Sequence, residues 1–413
     1  MGCFNIAINW GLKEPNYSCS PYLPSLNEDL PHDLSLLEDI VACRHSYFGT
    51  ETSFYWCFPF WCLAARLSQK NIAMAGLTEF ILSGLEPDLI LQVDLPLQRK
   101  DFVRLCRKYP SVPKILLVAE TPLERHAQHS NQNLSDFVSV LSYSKSMLQV
   151  VQANLPFRFH KPPCVKSLRL KPSTNRTYLC SYVGNAHSSG WRRNYQYSLG
   201  ITGWPLIWQY LQGWSLPLTA AWRDETFGAY GIRTAAVLAA QKLLQQRFYL
   251  SGRGWDTGGS GWFTRYFPDR RLDLSTRSLG MYPGAKVELL CNSTFTLACE
   301  NYLGDSGYVS EKVFDAMAAG SIPIYIGAPD SLPSQLNNVV VDLSSIPRRQ
   351  LQSSFKLTRV LKEIFAMPEH ELLRRQQACL NFMDQNYEKL SGLEPFFKAF
   401  DDVLDDLVPC ASC

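Results

Sequence analysis

The stretch FTLACENYLGDSGYVSEKVFDAMAAGSIPIYIGAP, Phe295 to Pro329, reads as a complete strand, loop, helix and strand. Phe295 to Cys299 is a short apolar run of the kind a buried strand makes. Ser310 is placed to cap the helix that follows, and Gly320 marks that helix's end. Ile322, Ile324 and Ile326 then alternate with Pro323 and Tyr325 as a second strand, closed by Gly327. Two strands joined by a helix normally lie parallel. In parallel α/β sheets ligands collect outside the carboxyl ends of the strands. Glu300 and Asn301 fall there, and the helix start brings Tyr308, Glu311 and Lys312 nearby. An anion is the natural guest, because first-turn amides and the helix dipole favour negative charge and Lys312 adds a full positive one. The competing reading is a surface loop with a solvated Glu-Lys pair.

The 413 residues amount to about two domains, and a hydrophobic content of 46% is ample for two cores. A formal charge of +3, from 40 basic and 37 acidic residues, exerts no global pull toward nucleic acid or membrane. Any anion site is therefore local. The 13 cysteines are scattered and odd in number, which fits reduced thiols in a cytoplasm better than a disulfide framework. Cys410 and Cys413 form a CxxC without a second pair at zinc spacing, and His126 and His129 lack a matching carboxylate motif, so no metal site is expected. Phe54 to Ala65 is apolar and aromatic, carries Pro59 and is too short for a bilayer span. It reads as core, with a sugar-stacking or peripheral membrane surface as the alternative.

Leu155 to Arg176 is rich in proline and basic residues and reads as a linker. Before it, Leu89 to Val93 and Lys114 to Val118 look like buried strands with a helix from Phe102 to Tyr109 between them. After it, Tyr178 to Val183 is a strand candidate, Trp191 to Leu199 opens a helix, and Thr234 to Gln246 has helical propensity and spacing. Gly252 to Gly261 is glycine-rich without a nucleotide-loop spacing and reads as a loop near the site. From Glu369 onward the chain is helical, interrupted around Ser391 to Pro395. The expected domains are residues 1–160, residues 175–350 and a helical segment 351–413.

The elements Glu300-Asn301, Tyr308-Val309-Ser310-Glu311-Lys312 and Ile322-Pro323-Ile324-Tyr325 together resemble the donor-binding motif of the family 10 glycosyltransferases, the α1,3/α1,4-fucosyltransferases. Cys299 stands where that pattern usually has an aromatic, Ser310 where Thr is commoner, and Ile326 where some members carry Trp. None of these removes a charged or hydrogen-bonding group. The resemblance covers Tyr178 to Asp342 well and the first domain thinly. It implies an α/β GT-B fold: two Rossmann-like domains facing across a cleft, with C-terminal helices. The first domain would be on the acceptor side, the second would bind the GDP-sugar. It further implies an inverting transfer of L-fucose from GDP-fucose to a hydroxyl of an oligosaccharide. Animal and plant members carry a Golgi anchor that is not read here, so a soluble, bacterial-type, cytoplasmic enzyme is expected. A different nucleotide-sugar donor and a non-catalytic carbohydrate-binding homologue are the alternatives.

Breaking a sugar nucleotide's glycosidic bond leaves a diphosphate whose charge must be stabilised by metal or fixed cations. The Asp-x-Asp triplet of metal-dependent GT-A enzymes is absent from the sequence, so fixed cations are expected and no cofactor or essential divalent metal. Lys312 is one. By the resemblance, the diphosphate-binding arginine of CSYVGNAHSSGWRRNYQYSLG maps to Arg193, with Arg192 one residue away as the alternative. The base that deprotonates the acceptor hydroxyl maps to Glu120 in Glu120-Thr121-Pro122, with Glu124 as its rival. Asn301 would bond the donor phosphates, Glu311 the ribose hydroxyls, and Tyr308 would line the nucleotide pocket. Glu300 would support the loop or face the sugar, and Lys286 is either a further motif lysine or a surface charge.

Overall fold

The computed structural model describes residues 4–10, 23–26, 29–31, 33, 36–37, 39, 51–95, 99–119, 134–144, 153–154, 171–184, 230–252, 286–305, 307–390 and 393–407. These residues divide into two compact units, one drawn from Met1–Lys161 and Glu388–Cys413, the other from Pro162–Tyr195 and Thr202–Tyr387. Each is a parallel α/β layer structure, as the Rossmann-like expectation requires.

In the first unit the chain runs β1 (Phe4–Trp10), α1 (Glu51–Ser68), β2 (Ile72–Gly76), α2 (Leu77–Ser83), β3 (Leu89–Val93), α3 (Arg99–Lys108), β4 (Lys114–Val118), β5 (Ser139–Ser142) and β6 (Ala153–Asn154). The sheet order is β2-β1-β3-β4-β5-β6, and every printed pairing is parallel. β3 and β4 are buried at every position, which is why, apart from Gln92 and Lys114, they read as continuous apolar runs rather than alternating ones. The aromatic run weighed as a docking surface is helix α1. Its Phe58, Phe60 and Trp61 are buried in the core, so these rings stack on protein and not on a ligand or lipid.

The second unit comprises β7 (Tyr178–Val183), α4 (Tyr230–Leu244), β8 (Phe248–Ser251), α5 (Lys286–Cys291), β9 (Ser293–Cys299), α6 (Glu311–Ala318), β10 (Ile322–Ile326), β11 (Val341–Asp342), α7 (Arg348–Leu351), α8 (Ser354–Phe365) and α9 (Glu369–Leu390). Its parallel sheet has the order β11-β10-β9-β7-β8. α9 is followed by α10 (Glu394–Leu407), whose Phe396, Phe400, Val403 and Leu404 belong to the core of the first unit. There Phe396 meets Phe60 edge to face at 5.9 Å. No described helix is long and apolar enough to cross a membrane.

The opening stretch folds as its pattern requires. Ser310 caps α6, its hydroxyl accepting from Lys312 N, and Gly320 ends the turn after the helix at φ 63°, a conformation glycine adopts without strain. β9 and β10 pair in parallel from Phe295↔Ile322 to Cys299↔Ile326. Lys286 on α5 pins α6 in place: its Nζ lies 2.6 Å from Asp315 Oδ2, and the Asp315 side chain is 2% exposed. Lys286→Ala leaves that carboxylate buried without its cation and is expected to destabilise the protein by about 2 kcal/mol, below the ~3–5 kcal/mol of a fully buried pair because Lys286 is a third exposed. An unchanged urea unfolding midpoint would show that the pair contributes nothing.

Candidate functional site

Alternation along β9 decides what the two residues after it meet. Successive strand side chains point to opposite faces. Phe295, Leu297 and Cys299 face the core that α4 and α8 cover. Asn301 continues on that face and Glu300 on the other, toward α6. The hydrogen bonds follow this division. Asn301 Oδ1 accepts from Arg233 Nη1 of α4 at 2.9 Å, whereas Glu300 Oε1 accepts from Ser310 N at 2.7 Å. Glu300 N donates to Ile326 O at 2.8 Å, extending the β9–β10 ladder by one residue. A two-residue step thus joins an arginine on one helix to a lysine on another.

On the α6 side, Lys312 Nζ donates to Ser310 Oγ at 3.0 Å and lies 3.9 Å from Glu300 Oε2 and 3.8 Å from Glu311 Oε1. The two carboxylates are beyond hydrogen-bond range, so among the described residues the ammonium spends one of its three donors. Glu300 is wholly buried and its Oε2 has no hydrogen-bond partner among the described residues. Burial pushes the Glu300 carboxyl above its ordinary value, while the charge of Lys312 and the bonds from Ser310 pull the other way. The folded state therefore holds this proton more tightly than the unfolded chain. The resulting stabilisation is complete below the ordinary value of 4.5 and is lost as pH rises through the folded value. Glu300→Gln cannot ionise, so its melting temperature is expected to gain on that of the unmodified protein as pH rises above 4.5. A gap that stays constant with pH would contradict the shift.

On the α4 side, Arg233 is 4% exposed and donates through Nε to Tyr182 Oη at 2.6 Å. Burial raises the Tyr182 phenol above its usual value, with Arg233 opposing, so the oxygen receives the guanidinium hydrogen as a neutral hydroxyl. Space there is tight. A Cβ on Gly184 would lie 2.6 Å from Tyr182 Oη and 3.0 Å from Arg233 Nη2, which admits only glycine without displacing one of them. An arginine has no acceptor atom, so Asn301 must turn its oxygen to Arg233 and its Nδ2 away. Among the described residues that Nδ2 makes no hydrogen bond.

The cluster sits at the topological switch point of its sheet. From β7 the chain moves one way to β8 and the other way to β9, β10 and β11. Arg233 spans that reversal by bonding Tyr182 on β7 and Asn301 after β9. The sequence reading missed Arg233. Its signal is a single charge in the apolar helical run YGIRTAAVLAA, flanked by the buried residues Ile232, Ala235, Ala236 and Val237.

Of the residues expected at the site, Glu300, Asn301, Ser310, Glu311 and Lys312 come together. Tyr308 is wholly buried, its ring edge to face with Tyr302 at 6.4 Å. Glu120, Glu124, Arg192 and Arg193 lie outside the described residues, as do His126, His129, Cys410, Cys413 and the glycine-rich stretch beyond Gly252.

No family model and no curated protein matches the chain. Several solved structures are similar to it. A crystal structure of an α1,3-fucosyltransferase with GDP is 14% identical with a TM-score of 0.46, covering 99% of this chain and 91% of that one. A glycosyltransferase from Rickettsia africae is 10% identical with a TM-score of 0.48, covering 99% and 100%. Anabaena HepE in complex with UDP and glucose is 10% identical with a TM-score of 0.46, covering 98% and 100%. These are likenesses of architecture, and no residue role follows from them.

Proposed function

We propose that the protein is an inverting glycosyltransferase that moves L-fucose from GDP-fucose to a hydroxyl of an oligosaccharide. The observation that carries the reading is the strand exit Glu300-Asn301 at the switch point of a parallel sheet, where Asn301 is held by Arg233 and Glu300 lies by Lys312 at a helix amino terminus. A lysine at a helix amino terminus and an amide oriented by an arginine at the same strand exit suit a diphosphate leaving group better than a neutral ligand. Lys312 and the outward Nδ2 of Asn301 donate to phosphate oxygens, Arg233 orients Asn301, and Glu311 takes the ribose hydroxyls. Glu300, Ser310 and Tyr308 hold the rim from below. Arg193, or Arg192 beside it, adds a further phosphate contact, and Glu120, with Glu124 as its rival, takes the acceptor proton.

Fixed cations replace a divalent metal in this scheme, and no cofactor is required. A cytoplasmic setting belongs to the same reading, on the scattered and odd-numbered cysteines of the sequence. The donor is tested with a panel of GDP-fucose, GDP-mannose, UDP-glucose and UDP-N-acetylglucosamine, scored by nucleotide release. Consumption of another sugar nucleotide and not of GDP-fucose would keep the transferase and reassign the donor.

Asn301→Asp separates binding from packing. The new carboxylate bonds Arg233 more strongly but presents an oxygen where the amide donated, so GDP affinity is expected to fall about tenfold or more with no loss of thermal stability. Equal GDP affinity in both proteins would remove Asn301 from the phosphate site.

A further inference from the structure

Charge is unevenly spread over the helices of the second unit. From Leu343 to Lys362 the sequence carries Arg348, Arg349, Lys356, Arg359 and Lys362 and no carboxylate. In a chain whose 40 basic residues are nearly matched by 37 acidic ones, this is a local excess. The stretch follows β11 and forms α7 and α8, both packed on α4. From Tyr230 to Gly252, which includes α4, the charges are Arg233, Lys242 and Arg247, again without a carboxylate. All of these cations except Arg233 and Arg348 are exposed.

The periodicity of α8 shows which of its faces the charge occupies. Leu357 and Leu361 are buried, and Val360, Ile364 and Phe365 pack with them against the core of the second unit. Phe355, Arg359 and Lys362, at i, i+4 and i+7, form the opposite stripe, with Lys356 beside it. Phe355 is 81% exposed, the most open large hydrophobic among the described residues. Neither the helix dipole nor ion pairing accounts for this face. α8 has no acidic residue in its first turn, where the dipole favours one, and Lys356 is its third residue instead. The carboxylates that flank the stretch are Asp342 before it and Glu363, Glu369 and Glu371 after it. Glu363 lies 4.0 Å from Arg359 with side chains 76% and 87% exposed, a pair that water screens. Glu369 accepts from Thr174, and Glu371 is taken by Arg374 and Arg375.

A partner for this face offers negative charge over a broad area and a medium that accepts an aromatic ring. An anionic lipid surface does both, holding cations at its headgroups while a phenyl ring enters below them. The apolar face of α8 is spent on the core, so the contact is electrostatic and reversible. Single-stranded nucleic acid calls for several aromatic platforms, and Phe355 is the one aromatic on the outer stripe of α8. Helix α3 is also basic, but its Arg104 has Asp101 at 3.7 Å and it exposes no large hydrophobic. We propose that the outer face of α7 and α8 docks the protein on an anionic lipid surface, with Lys356, Arg359 and Lys362 at the headgroups and Phe355 in the interface. The docking does not depend on the transferase reading.

The test is co-sedimentation of the full chain with vesicles of phosphatidylcholine alone and with vesicles in which one lipid in four is phosphatidylglycerol. Binding to the anionic vesicles and not to the neutral ones, falling as salt is raised, is the expected result. At about fivefold for each cation, the triple variant Lys356→Gln/Arg359→Gln/Lys362→Gln should bind about 100-fold more weakly. Phe355→Ala should lose about fivefold with its salt dependence unchanged. Arg359→Gln alone replaces the triple variant if that one melts early. No binding to anionic vesicles, equal binding to neutral ones, or undiminished affinity in the variants overturns the proposal. A loss confined to Arg107→Gln/Lys108→Gln overturns it in favour of α3, and retention of a labelled single-stranded RNA without vesicle binding overturns it in favour of nucleic acid.

Discussion

Lys312→Ala is expected to weaken GDP binding by about 10- to 100-fold, the effect of losing a hydrogen-bonded charge from an anion site. The size follows from the surroundings of the ammonium. Its side chain is 13% exposed, so water screens it little, and its bond to Ser310 Oγ leaves donors uncommitted. Glu311 and the buried Glu300 lie near enough to hold the chain in place without hydrogen-bonding it. Lys312→Arg keeps the charge but brings a broader head into the space between the two carboxylates, and should recover only part of the affinity. Unchanged GDP affinity in Lys312→Ala, with an unchanged melting curve, would mean that the cation serves only to offset Glu300.

Glu120→Gln is expected to lower turnover by about 100- to 10,000-fold, the range for loss of a general base, while GDP binding is retained. The expectation rests on position in the chain. β4 ends at Val118, and Ala119, the last described residue before Glu120, has its amide held by Asp94 Oδ1. The base candidate therefore leaves the carboxyl end of a central strand in the first sheet, where side chains meet ligands. If the same loss appears in Glu124→Gln and not in Glu120→Gln, the roles exchange. Turnover unchanged in both would remove this loop from the mechanism.

Much of the fold was legible because parallel strands covered on both faces leave an unmistakable pattern. LILQV, KILLV and YLCSYV were read with the bounds they have in the structure, and the helix break near Ser391 falls between α9 and α10. The strands that escaped include FNIAINW, IAMAG, SVLS and FYLS, which are short or carry polar and small residues that blur a hydrophobic run, and the two-residue β6 and β11.

At the candidate site the α6 half was legible and the α4 half was not. Ser310, Glu311 and Lys312 form a contiguous motif at a helix start, where capping chemistry announces itself. Arg233 acts across 68 residues, bonding a side chain that only the strand order brings near. The lone charge in an apolar helical run marks Arg233 as unusual, but nothing local names its partner. Glu300 shows the reverse: the motif marked it, with loop support and contact to the sugar both open, and in the structure its Oε1 accepts from Ser310 N.

A diphosphate site built on Lys312 and the Arg233-oriented Asn301 works without metal, and calorimetric titration of the full chain with GDP, in the presence and absence of a chelator, checks this. Micromolar binding that the chelator leaves unchanged is expected. Binding abolished by the chelator, or no binding of GDP at all, would contradict it.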